Sequence, residues 1–137
     1  SKKKKEGDKK TPIGSFFIEN LYYRPDRIKK PKTRLKCVKI TRRMGWCDDP
    51  FNRKKYNKLI NVKDNIKCER LYRRDDKYDL IIPIKYNFSK PIVFKGSCIF
   101  MHLTKNYKPT AGCIAMKKKD FIIMLKLINK KTKIRIN

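Results

Sequence analysis

Ser97-Cys98-Ile99-Phe100-Met101-His102-Leu103 is a run of β-branched, aromatic and long apolar side chains around a single imidazole. Such a run reads as a β-strand, a rigid frame on which His102 shares a face with Cys98 and Phe100. His102 is the only histidine in the chain, and eleven residues later comes Cys113, in Thr110-Ala111-Gly112-Cys113. A free thiol has a pKa of about 8.5 and is mostly protonated at neutral pH, whereas the thiolate is the nucleophile. An imidazole nearby supplies the missing activation. Gly112 permits a sharp turn that aims the amides of Gly112 and Cys113 at an oxyanion while the sulfur faces a substrate. The pair therefore marks a candidate acyl-transfer site, and an inert core cysteine stands as the alternative reading.

Outward from this strand, most of the chain reads as short β-segments. Residues 16–23, 35–41, 78–87, 91–94 and 133–136 are strand candidates, with residues 78–87 the strongest. Pro83 lacks a ladder donor, which predicts an edge or a bulge there. Residues 24–31 hold two prolines among charges and read as a loop. Residues 44–57, with Trp46, Asp48, Asp49 and Pro50, read as an aromatic and acidic loop in which Trp46 either caps the core or meets substrate. Residues 69–77 are highly charged and suggest one or two helical turns. Phe121, Met124, Leu125 and Ile128 recur at i, i+3, i+4 and i+7, which predicts an amphipathic helix over residues 120–129. The expected fold is mainly β, a sandwich or barrel with one or two short helices. Residues 1–10 form a basic arm and residues 11–137 a single domain, long enough to bury a core.

Composition narrows the partners. A net charge of +27, from 39 Lys and Arg against 12 Asp and Glu, attracts polyanions, although an AT-rich codon bias toward Lys, Ile and Asn accounts for it equally simply. The basic residues are spread along the chain with no zinc-finger, basic-region or RNP-like spacing, so specific nucleic-acid recognition is not expected. No apolar run approaches the roughly 18 residues of a transmembrane helix. No signal region is present either, and the chain reads as a mature or excised portion of a longer protein. Five cysteines occur, at 37, 47, 68, 98 and 113. With one a free nucleophile, the other four form two disulfides in one of three pairings or stay reduced. No Cys-x-x-Cys pair occurs, so no metal site is expected.

Several short motifs also fall in one order: Glu6-Gly7-Asp8, Thr11-Pro12-Ile13-Gly14-Ser15-Phe16, Gly45-Trp46-Cys47-Asp48-Asp49-Pro50, Tyr56-Asn57, Tyr78-Asp79-Leu80, Tyr86-Asn87, Gly96 through His102, and Thr110 through Ala115. This series resembles the L,D-transpeptidase (YkuD-like) catalytic-domain family over nearly the whole chain. The resemblance implies a β-rich fold without metal or organic cofactor, with Cys113 as nucleophile, His102 as base and the backbone at Ala111 and Gly112 as oxyanion donors. It implies peptidoglycan stem peptides as substrate, a periplasmic or wall-associated location, and an imidazole oriented by a nearby backbone carbonyl. Candidate substrate contacts are Thr110, Trp46, Tyr86 and Asn87.

The chain departs from better-known members at three positions. Ala111 stands where they often carry a second histidine, Leu103 where they often have glycine, and Ala115 where they often have arginine or asparagine. These changes remove polar groups next to the pair, so the acceptor is an amine in a transpeptidase reading and water in a hydrolase or carboxypeptidase reading. A non-catalytic module binding anionic wall polymers is the reading from a different class.

Overall fold

The computed structural model describes residues 6–7, 10–105 and 113–137. Ten strands and one α-helix follow one another: β1 (Gly14–Phe17), β2 (Leu21–Tyr23), β3 (Cys37–Lys39), β4 (Met44–Cys47), β5 (Leu59–Asn61), β6 (Cys68–Arg70), β7 (Leu80–Pro83), β8 (Phe100–Leu103), β9 (Ile114–Met116), α1 (Lys118–Leu127) and β10 (Lys133–Ile136). The fold is mainly β, as the sequence predicts. A short 3-10 turn, Val62–Asp64, is the only other helical element among the described residues.

The central sheet has the order β3-β2-β7-β8-β9, and its outer pairs β2 with β3 and β8 with β9 are parallel. Its two faces are covered by different layers. Leu21, Tyr23, Leu80, Ile82, Met101 and Leu103 pack with Phe121 and Leu125 of α1 and with Ile128 just beyond it. On the opposite face, Tyr22, Ile81 and Phe100 pack with Trp46, Leu71 and Tyr78. Trp46 belongs to a second sheet, of order β5-β4-β6. Burial on both sides explains why β7 and β8 are apolar at nearly every position instead of alternating with polar residues. The sheet thus lies between a helix and a smaller sheet, and β1 pairs with β10 in a separate ribbon.

Several expected elements shift. Residues 16–23 do not form one strand: β1 ends at Phe17, Ile18 bridges Ile84, and β2 begins at Leu21, so the chain passes from the ribbon to the central sheet. Pro83 lies neither at a sheet edge nor in a bulge. It is the last residue of β7, an interior strand, and the ladder continues past it through the Ile84 amide bonded to the Ile99 carbonyl. Residues 44–57 begin as strand β4, because Trp46 and Cys47 are buried between β5 and β6. Residues 69–77 are not helical. Their first part is β6, whose charged side chains reflect its edge position, and bends and turns follow. Residues 91–94 are not a strand, 91 and 92 having no regular structure and 93 and 94 lying in a turn, and the helix starts two residues earlier and ends two earlier than predicted.

Phe121 is fully buried and Ile123 is about half exposed on the same helix. Phe121→Ala should lower stability by about 3–5 kcal/mol, whereas Ile123→Ala should stay within about 0.5 kcal/mol. Urea unfolding checks this, as a fall in the midpoint for Phe121→Ala alone with an unchanged slope.

Candidate active site

His102 sits on β8 between β7 and β9, with Ile81 and Ala115 as its direct partners. Met101 pairs with Ile114 in the same parallel ladder, so Cys113, one residue before β9, falls alongside Phe100. Cys113 packs on the cluster that contains Phe100, Ile81 and Tyr78, which is the face that carries His102. The pair proposed from the sequence is therefore brought to one face of one sheet. Thr110, Ala111 and Gly112 lie outside the described residues.

The imidazole is 2% exposed. Its Nδ1 lies 2.9 Å from the Leu103 carbonyl oxygen, which can only accept, so Nδ1 carries the proton and Nε2 holds the basic lone pair. Nε2 is buried and has no hydrogen-bond partner among the described residues. Burial pushes the His102 pKa below its usual 6.5; the Leu103 carbonyl opposes this, Lys77 and Arg73 reinforce it, and Asp75 opposes it. The group is therefore a neutral base at neutral pH. Tyr78 fixes its plane, packing edge-on against His102 at 5.9 Å and against Phe100 at 5.7 Å. The Tyr78 hydroxyl donates to Glu69 at 3.0 Å, while the Arg73 guanidinium lies 5.1 Å from the centre of its ring.

The Cys113 thiol donates to the Cys98 carbonyl at 3.3 Å. Cys98 itself has φ of 56°, a left-handed conformation that a non-glycine residue adopts at a cost of about 1 kcal/mol or more. Two contacts hold it there: its amide donates to Asn57 Oδ1 at 3.2 Å and its thiol to the Trp46 carbonyl at 3.7 Å. Burial pushes the Cys98 thiol well up, and the Asp48 and Glu69 carboxylates add to the rise. Cys37, Cys47 and Cys68 are also pushed up, burial being the largest cause in each. Among the described residues no group of three His, Cys, Asp or Glu is spaced to hold a metal ion.

Asn57, for which the Tyr56-Asn57 motif is the only signal in the sequence, is the hub behind the site. Its Oδ1 also accepts from Trp46 Nε1 at 2.8 Å, and its Nδ2 donates to the Tyr86 and Asn87 carbonyls at 3.1 and 2.7 Å. Trp46 is buried against Phe100 and stacks on Phe88. The Tyr86 hydroxyl donates to the Lys95 carbonyl, and the Asn87 side chain bonds Ile92 and Gly96. The polar groups of these three candidate contacts thus bond other parts of the chain, those of Tyr86 and Asn87 at the surface, and hold the loop that leads into β8. For Tyr78, too, a place next to Asp79 in a motif is the only sequence signal.

Asn57→Leu should leave the Trp46 indole N–H and the Cys98 amide buried without acceptors. The expected loss is roughly 2–4 kcal/mol of stability, read by urea unfolding and accompanied by a change in tryptophan fluorescence of the folded state.

No curated protein and no solved structure matches the chain. A family model does, over residues 1–136, and its description is the L,D-transpeptidase catalytic domain, YkuD. The lone imidazole and the cysteine beside it on one sheet face are thus set in a chain that belongs to the YkuD family of L,D-transpeptidase catalytic domains.

Proposed function

We propose that this domain is a cysteine acyl-transferase that remodels peptidoglycan, with Cys113 as nucleophile and His102 as general acid and base. The observation that carries the reading is the bond from His102 Nδ1 to Leu103, which leaves a basic Nε2 with no hydrogen-bond partner among the described residues, on the face that bears Cys113. For the thiol to deliver its proton there, it exchanges its bond to Cys98 for one to Nε2. The thiolate then attacks the carbonyl that joins the L-configured centre of diaminopimelate to the following D-alanine. The imidazolium returns the proton to the departing D-alanine amine, and a thioester remains on Cys113. His102 next deprotonates an amine of a second stem peptide, that amine takes the acyl group, and the thiolate leaves and is reprotonated. Backbone amides at Ala111 and Gly112 are the proposed oxyanion donors and Thr110 a proposed substrate contact.

Water is a second acceptor, and one feature favours it. Ala115 lies directly opposite His102 and presents a methyl group where the better-known members often offer arginine or asparagine. Product analysis on disaccharide tetrapeptides separates the two readings: dimers mean transfer and trimmed monomers mean hydrolysis.

A substrate in the wall puts the enzyme outside the cytoplasm, in the periplasm or against the wall. Anionic wall polymers are proposed to hold it there. A cleft of about 660 Å³ is lined by Arg34, Lys36, Lys85, Lys130 and Lys131, with Glu19 as the sole acid in its lining. Wall binding through these cations should weaken steeply with salt.

A carbapenem should acylate the protein once, as read by mass spectrometry, and Cys113→Ala should abolish the adduct; no adduct on the folded wild type would refute the nucleophile. His102→Ala should slow acylation by about 10²–10⁴-fold. The base must be neutral to act, and its pKa is lowered, so activity should hold as pH falls toward 6.5 and decline only below it. The pH profile of kcat/KM checks this, and His102→Ala should lose that limb.

A further inference from the structure

Cys47 and Cys68 are direct partners across the antiparallel strands β4 and β6. The ladder shows which kind of pair they form. The Leu71 amide bonds the Met44 carbonyl, which makes residues 44 and 71, and two steps on 46 and 69, the hydrogen-bonded pairs. Cys47 instead turns its amide and carbonyl to the other side, toward Lys58 and Asn57. Residues 47 and 68 are therefore a non-hydrogen-bonded pair, the type with side chains closest and Cα atoms about 4.5 Å apart. That separation lies within the range of about 4.4–6.8 Å that a disulfide spans.

Space for the sulfurs is built into the sequence. A Cβ at Gly45 would meet the Cys68 sulfur at 2.6 Å, so any other residue at 45 would displace that thiol. Cys47 is fully buried and Cys68 half-buried, so a reagent from solvent reaches Cys68 first. Cys37 and Cys98 have no such relation: Cys37 packs on the helix side of the central sheet and Cys98 on the other.

We propose that Cys47 and Cys68 are an oxidation site that closes into a structural disulfide when the protein meets a disulfide donor, such as oxidised glutathione or a disulfide-bearing oxidoreductase. The Cys68 thiolate attacks the donor disulfide and releases one donor thiol. The Cys47 thiolate then attacks the Cys68 sulfur of the mixed disulfide and releases the second donor thiol. Two protein thiols are oxidised by two electrons and one donor disulfide is reduced to two thiols. The bond staples β4 to β6 behind the active site. β4 provides the carbonyl that holds the Cys98 thiol, and β6 provides Glu69, which anchors the Tyr78 ring against His102. One disulfide and a free Cys113 also fit an odd cysteine count. The proposal rests on strand register and not on the acyl-transfer reading.

The test is to equilibrate the full chain in a glutathione redox buffer, alkylate with iodoacetamide, and digest with trypsin without reduction. The expected product is the peptide of residues 44–53 joined to that of residues 68–70, with Cys113 alkylated and three alkyl groups on the intact protein instead of five. Reductant should lower the Tm of the oxidised wild type by roughly 5–15 °C. Cys37→Ser should keep that dependence and Cys68→Ser should lose it. Alkylation of both Cys47 and Cys68 after oxidation, or a bond from either to another cysteine, overturns the proposal. Carbapenem labelling of Cys113 in the same samples reads the nucleophile separately, so the two claims fail independently.

Discussion

His102 occupies a position where the fold otherwise demands a hydrocarbon. β8 is covered on both faces, by α1 on one and by the layer containing Trp46 and Tyr78 on the other, and its remaining residues are Phe100, Met101 and Leu103. An ionised imidazole there would forfeit its hydration, so burial selects the neutral form. A neutral ring still needs partners, and the fold supplies one, the carbonyl of the next residue, to Nδ1. Nε2 is left with a lone pair and, among the described residues, nothing to accept from. An unsatisfied buried acceptor costs about 1–3 kcal/mol, a cost that the proposed role of His102 as the base accounts for.

The other parts of the structure serve to keep this ring and the neighbouring sulfur in register. The parallel ladder of β8 and β9 sets Cys113 alongside Phe100 and one step from His102 on the same face. Asn57 gathers Trp46, the Cys98 amide and the carbonyls of Tyr86 and Asn87 on one amide group, which fixes the strained Cys98 turn whose carbonyl receives the Cys113 thiol. Burial keeps the Cys98 thiol protonated although it is close by. Basic side chains dominate the surface, and two of them, Lys77 and Arg73, reinforce the neutral state of the imidazole.

Much of this was legible in the sequence where a signal was local. The apolar runs of β7 and β8 and the i, i+3, i+4, i+7 pattern of α1 announce themselves, because buried elements must be apolar at the positions they bury. The layer of β4, β5 and β6 was hidden. Its strands are three or four residues long, Gly45 interrupts one, and Glu69 and Arg70 give another the look of a solvated helix. The role of Asn57 was equally invisible, since its partners lie 11, 29, 30 and 41 residues away. Trp46, Tyr86 and Asn87, expected as substrate contacts, have polar groups that also bond other parts of the fold, at separations in sequence that no local pattern reveals.

Because the chain holds one histidine, its imidazole nitrogens can be followed by 15N NMR without assignment. At neutral pH the ring is expected to be neutral, protonated at Nδ1 and bare at Nε2, with a titration midpoint below the ordinary 6.5. A ring protonated at Nε2, or a cationic one at pH 7, would contradict that assignment.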